Sequence, residues 1–185
     1  MVKLGIICED ESGKIILQSA EFRKMLQTLD IDLIAIEETG SKNQFFAGRY
    51  QKWRNLMVDK GAEKIIAFFD LDKDECLVET KSNSDLDKSD DICVIANTEL
   101  ESWYLADSKA LSSLLNKDAV FEKPEMFENP IREIVSLNNG KGFGNSKPFL
   151  AKKMLRNGFS IENAAKHPNC DSAKYFIKKL KSLSN

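Results

Sequence analysis

Residues 65–76 read IIAFFDLDKDEC, and the fold turns on how this stretch is read. Ile65 to Phe69 form an apolar run with no alternation, as expected of a strand buried on both faces of a parallel sheet. Asp70, Asp72 and Asp74 follow at once. Three carboxylates at one strand end repel each other unless something positive lies between them.

Working outward, the same pattern recurs. KLGIIC (3–8) reads as a strand, followed by the loop EDESGK and a helix from about Lys14 to Leu29. IDLIAIEE (31–38) is a second strand with TGSKN as its loop. A helix over roughly Gln44 to Lys60 closes at Gly61, a C-cap signal. EKIIAFF is the third strand and ICVIAN (92–97) the fourth, with a long acidic, serine-rich segment from Lys73 to Asp91 between them. TELESWYLAD (98–107) opens a further helix. Apolar strands alternating with helices predict an α/β fold, a three-layer sandwich around a mostly parallel Rossmann-like sheet. In such sheets ligands sit beyond the carboxyl ends of the strands. Those ends carry Glu9–Asp10, Glu37 to Lys42, the Asp70–Asp74 set and Asn97 to Glu101, so acid recurs along one edge.

After Asn116 the periodicity weakens. Helices are expected at about 147–157 and 160–166, with Ser146 and Ser160 as N-caps. A last helix is expected from near Ser172, its stripe made by Ala173, Phe176, Ile177, Leu180 and Leu183. The chain therefore reads as an α/β core (1–115) with a basic helical C-terminal part (116–185) packed on it, a single domain overall.

Composition narrows the function. The net charge of -2 hides an asymmetry: from Lys141 onward ten Lys/Arg stand against Glu162 and Asp171, which is +8, leaving 17 basic and 27 acidic residues before it, or -10. The basic part suits a nucleic-acid backbone. Cys8, Cys76, Cys93 and Cys170 lack CxxC spacing and read as reduced thiols of a cytoplasmic protein. His167 is the only histidine, which leaves little for a Ser-His-Asp triad or a HExxH zinc site. No apolar run approaches membrane-spanning length.

Carboxylates one residue apart at a strand end point the same way by the strand's period of two. Hard oxygen ligands suit Mg²⁺ or Mn²⁺, and two such ions about 4 Å apart are the usual device for cutting phosphodiesters. Glu9, Asp70 and Asp72 are the expected metal ligands, Glu99 a further one, with Asp74 a loop residue. Glu9 is also the candidate general base. Glu101 falls three residues after Thr98, as in a capping box, and reads as a cap, with a ligand role as the alternative. Lys147 begins a helix beside Ser146, where an ammonium and a helix N-terminus suit a phosphate; it joins the catalytic and substrate-binding sets. Lys42 and Lys141, in glycine-flanked loops, are further substrate-binding candidates. Trp103 reads as core, and Arg49, Lys52 and Arg54 as a solvated helix face.

GIICEDESG resembles the first motif of the Toprim domain, a Glu just after the first strand, and FFDLDKD resembles its DxD after the third. ANTELESWYLAD is similar to the ELExWxLAD signature of small Toprim-like bacterial proteins. The other marks of those proteins follow in order: Asn129-Pro130, Ser146-Lys147, Leu150-Ala151 and CDSAKYF (170–176). Asp10 stands where a glycine is usual, and Ser172-Ala173 where a Ser-Phe pair is usual. Toprim domains occur in topoisomerases, primases and the OLD-type nucleases that accompany ATPases in phage defence. The resemblance implies a Mg²⁺-dependent nuclease acting on nucleic acid. Its alternative is a non-catalytic partner subunit of an ATPase. A phosphatase of the haloacid-dehalogenase type, with Asp70 as nucleophile and Asp72 as acid/base, is disfavoured because Asp74 replaces that family's Thr or Val and its motif sits on the first strand.

Overall fold

The computed structural model describes residues 1–45, 48–72, 86, 90–143 and 146–184. Four strands, β1 (Val2–Cys8), β2 (Ile31–Glu38), β3 (Lys64–Asp70) and β4 (Ile92–Ala96), form one sheet in the order β2-β1-β3-β4. Every described pairing is parallel. The chain runs from β1 outward to β2, then returns past β1 to β3. Between β1 and β3 the winding reverses, so a crevice forms beyond their carboxyl ends.

Alternation along the strands divides the core. Leu4, Ile6, Cys8, Ile66, Phe68, Val94 and Ala96 face the larger apolar cluster, which also takes in the C-terminal helices. Ile7, Ile65, Ala67 and Phe69 face the smaller one, with Phe45, Tyr50 and Met57. The sheet is thus covered on both faces, which is why β3 is an unbroken apolar run. Gly5 allows the close approach on the smaller side: a Cβ there would lie 3.0 Å from both Met57 Sδ and Ala62 Cβ.

The first expected helix is two. α1 (Glu11–Leu17) is capped by Asp10, whose Oδ1 accepts from Gly13 N–H at 2.9 Å. α2 (Ala20–Thr28) starts afresh at Ser19, whose hydroxyl accepts from Phe22 N–H at 3.2 Å. The apolar period runs through this break, but the Ser19 side chain competes for the backbone and restarts the helix. The second expected helix begins later, as α3 (Tyr50–Asp59), and Gly61 follows its end at φ +92°.

Beyond β4 come α4 (Glu101–Ala106), with all six residues buried, and α5 (Ser108–Leu115). α6 (Pro130–Leu137) begins at an Asn129 cap, and α7 (Lys147–Arg156), α8 (Ile161–Ala165) and α9 (Asp171–Lys181) follow. A ring stack ties them to the sheet: Phe68 lies 5.2 Å from Trp103 and 5.6 Å from Phe176, and Phe176 lies 6.0 Å from Phe22. The C-terminal helices share the core of the sheet and do not form one of their own. No helix among the described residues is long and apolar enough to cross a membrane.

A candidate carboxylate and lysine site at the sheet edge

The site begins with two backbone amides. Asp70 N–H donates to Glu9 Oε2 at 3.2 Å, and Lys42 N–H donates to Glu9 Oε1 at 3.1 Å. Glu9 therefore clamps the ends of β1 and β3 and the turn after β2 at the reversal of the sheet. Burial raises its pKa, against the pull of the two amides.

Asp70, the last residue of β3, accepts from Leu100 N–H at 2.8 Å through Oδ1. Its Oδ2 lies 3.9 Å from Lys147 Nζ. The same ammonium lies 3.2 Å from Glu99 and 3.5 Å from Glu101. Lys147 is thus a hub for three carboxylates. Burial lowers its pKa, but Glu101, Asp70 and Glu99 more than offset this and it ends raised. Asp70 is itself held well above the carboxylate range, by burial and then by Glu101, in spite of Lys147.

The expectation that Asp70 and Asp72 point alike does not hold. β3 ends at Asp70, and Asp72 adopts a left-handed backbone, φ 56°, so the period of two has lapsed. Asp72 pairs instead with Lys42, Oδ2 to Nζ 2.8 Å, and Lys42 also donates to the carbonyls of Leu71 at 2.8 Å and Asp70 at 3.3 Å. Opposite, Thr98 also has positive φ, 62°, and its carbonyl accepts from Asp72 N–H at 2.7 Å. A β-branched residue in that region is strained by on the order of 1–3 kcal/mol, and such strain collects at functional sites.

Glu101 is not a capping residue. The N-cap of α4 is Leu100, with no side-chain cap bond, and Thr98 Oγ1 donates to the Glu125 carbonyl at 3.3 Å. The Glu101 carboxylate is 1% exposed, and among the described residues neither oxygen has a hydrogen-bond partner. Burial pushes its pKa up to about 7. The Tyr104 hydroxyl, buried one turn away, has no hydrogen-bond partner among the described residues either. Tyr104 escaped the sequence reading, and Glu101 was expected chiefly as a cap; a polar residue inside the buried ELExWxLAD stripe was the available signal.

The remaining signature residues have structural tasks. Trp103 is fully buried, as expected, and its indole N–H donates to Ser172 Oγ at 2.7 Å. Ser172 in turn donates to Glu125, which also accepts from the amides of Asp171 (2.9 Å) and Ser172 (3.0 Å) at the start of α9. Asp107 caps α5 through Ala110 N–H at 3.2 Å and accepts from Ser160 N–H at 3.2 Å. Ser160 caps α8 as expected, accepting from Asn163 N–H at 3.1 Å. Ser146 occupies the N-cap of α7 but makes no side-chain cap bond among the described residues.

Of the expected site residues, the fold brings together Glu9, Asp70, Asp72, Glu99, Lys42 and Lys147. Lys141 stays exposed in its loop, held through its carbonyl by Asn138 at 2.6 Å, and no described contact joins it to the cluster. Asp74 lies outside the described residues. Arg54 is not merely solvated: its Nε donates to the buried Asp91 carboxylate at 2.9 Å, which Tyr50 also contacts. His167 bonds the Phe121 carbonyl at 2.8 Å, a structural role.

Charge and donor type bear on a cation. Glu9, Asp70, Asp72, Glu99 and Glu101 make five carboxylates against two ammoniums, Lys42 and Lys147, which is -3 when all are ionised. The donors are all hard oxygens, and the buried Glu101 carboxylate, ion-paired to Lys147 but without a hydrogen bond among the described residues, adds charge that a cation would compensate, so the set suits Mg²⁺ or Mn²⁺ in chemistry and charge. Among the described residues no three His, Cys, Asp or Glu side chains are already arranged to hold a metal ion. The carboxylates are drawn apart, toward the two lysines. Compared with known proteins, the chain matches no family model, no curated protein and no solved structure.

Proposed function

We propose that this chain is a Toprim-like, metal-dependent phosphodiester-processing protein, a nuclease acting with Mg²⁺ or Mn²⁺. The observation that carries the reading is the clamp of Glu9 on Asp70. The Glu9 carboxylate holds the backbone amide of Asp70, 61 residues away in sequence, at the reversal point of a parallel sheet, and its charge acts on the Asp70 carboxylate. Glu9, Asp70, Asp72 and Glu99 would hold the cation, with Glu101 behind them; when bound it supplies charge neutralisation and Lewis-acid polarisation of a phosphate. Burial raises the pKa of Glu9, which makes it a stronger proton acceptor than an ordinary carboxylate. Lys147 and Lys42 stand as the cations for phosphate oxygens, and the stretch from Lys141 onward, at +8, attracts the backbone.

One specific observation favours a second reading. The same lysines already pair with the carboxylates, so the cluster is partly neutralised from within. This suits a non-cutting partner subunit, of an ATPase in the resemblance noted above. The test is cleavage of plasmid, single-stranded DNA and RNA with Mg²⁺ or Mn²⁺, beside calorimetric Mn²⁺ binding. The nuclease reading expects metal-dependent cutting and Mn²⁺ binding, both lost in Asp70→Asn. Folded protein that neither cuts nor binds Mn²⁺ would leave the partner-subunit reading.

A further inference from the structure

Resting on the nuclease reading, we propose that Lys147 is an internal stand-in for the divalent cation: it holds Asp70, Glu99 and Glu101 together in the metal-free site, and is released to a substrate phosphate only when a cation replaces it. Lys147 opens α7, and its Nζ lies 3.2 Å from Glu99, 3.5 Å from Glu101 and 3.9 Å from Asp70. Asp70 and Glu99 belong to the set that would take the cation, so the ammonium competes with it for the same oxygens. The two do not share them, because positive charges at that spacing repel. The fit also differs. Magnesium ligands close to about 2.1 Å. These carboxylates stand off at ammonium distances, and no three of them among the described residues are arranged for a metal. They must draw in as the ammonium leaves.

Which lysine moves follows from its partners. Lys42 is anchored: besides Asp72 it holds the carbonyls of Leu71 and Asp70, and its side chain is only 14% exposed. Lys147 meets carboxylates alone among the described residues, and its side chain, 33% exposed, already reaches solvent. Glu101 makes the exchange obligatory. Its carboxylate is buried, and among the described residues Lys147 is the one cation within ion-pair distance of it. A buried carboxylate left without a cation is costly, so Lys147 stays until another cation arrives. The order is then fixed, with the cation first and the phosphate second. A metal-free site offers no free Lys147 to a phosphate.

Two measurements on the full chain test this, with Mn²⁺ or Mg²⁺ alone as the probe. Calorimetry reads Mn²⁺ affinity. Lys147→Met should bind Mn²⁺ about tenfold more tightly than the parent, because the competing ammonium is gone. Lys147→Arg keeps the charge and should bind no more tightly than the parent. Lys152, on the same helix, pairs with Glu11 at 3.9 Å and not with the cluster. Lys152→Met should leave the affinity unchanged, which separates competition from general charge. Circular dichroism checks that the variants fold. The second measurement needs no variant: a limiting dose of acetic anhydride, with acetylated lysines read by peptide mass spectrometry. Saturating Mg²⁺ should speed acetylation of Lys147 severalfold relative to Lys152, because the amine has left its carboxylates. Mn²⁺ affinity unchanged in Lys147→Met, an equal gain in Lys152→Met, acetylation of Lys147 indifferent to Mg²⁺, or no Mn²⁺ binding by parent and Lys147→Met alike would each overturn the proposal. Metal-dependent cutting with its Asp70→Asn control is read in parallel. Cutting that persists beside any of these results removes the stand-in role and leaves the nuclease reading in place.

Discussion

At the scale of single residues, Lys147 and Glu101 set the energetics of the site. Lys147→Met leaves Asp70, Glu99 and Glu101 without their shared cation. The expected loss of stability is on the order of 2 kcal/mol, below the range for a fully buried pair because the lysine side chain is 33% exposed. Thermal unfolding with and without Mg²⁺ checks this, and on the nuclease reading Mg²⁺ restores more stability to Lys147→Met than to the parent. Glu101 gives a pH dependence whose sign follows from its shift. Its folded pKa, raised from 4.5 to about 7, means the folded protein keeps a proton that the unfolded chain has released. Stability without metal should therefore fall as pH rises between these values, and Glu101→Gln should flatten that slope. Denaturant titrations at pH 4.5, 6 and 8 measure it; an unchanged slope in Glu101→Gln would place the proton elsewhere.

At the scale of elements, contacts among α4, α9 and the Pro124–Met126 turn hold the chain around the site. Ser172→Ala removes the acceptor of the Trp103 indole N–H and leaves a buried donor unpaired, so about 1–3 kcal/mol should be lost in urea unfolding. Gly5→Ala tests the packing of α3 on β1. Its new methyl would meet Met57 and Ala62 at 3.0 Å, an overpacking cost of about 1–3 kcal/mol, checked by the same titration. These elements were legible to different degrees. The four strands fell where their apolar runs placed them, because strands buried on both faces leave a continuous hydrophobic trace. The break at Ser19 did not show, because a helical period runs unbroken through it.

At the scale of the whole molecule, the packing shields two thiols, Cys8 in the sheet and Cys170 at the start of α9. Burial pushes Cys8 up to about 12 and raises Cys170 further, each helped by neighbouring carboxylates. Native protein at pH 8 should therefore leave both unmodified by iodoacetamide over the time in which urea-unfolded chain reacts fully, as read by peptide mass spectrometry. Early labelling of Cys8 would mean that β1 opens far more readily than its central place in the sheet implies. On the nuclease reading, Mg²⁺ at a hundredfold above its dissociation constant would stabilise the fold by about 2.7 kcal/mol.

The sequence alone determined the α/β class, the strand ends and the clustering of acid at one edge, because period and burial are written locally in the side chains. It also pointed to Glu9, Asp70 and Lys147. Only the tertiary structure decided which carboxylate meets which lysine. Asp72 turns to Lys42 because its backbone is left-handed, and Lys147 arrives from a helix 77 residues beyond Asp70 in the numbering. It also decided that Glu101 faces the buried cluster and does not cap its helix. A capping box is a pattern of residue types, whereas the N-cap of α4 falls at Leu100 because Asp70 holds the Leu100 amide. That bond joins parts of the chain 30 residues apart, and no local reading of the sequence contains it.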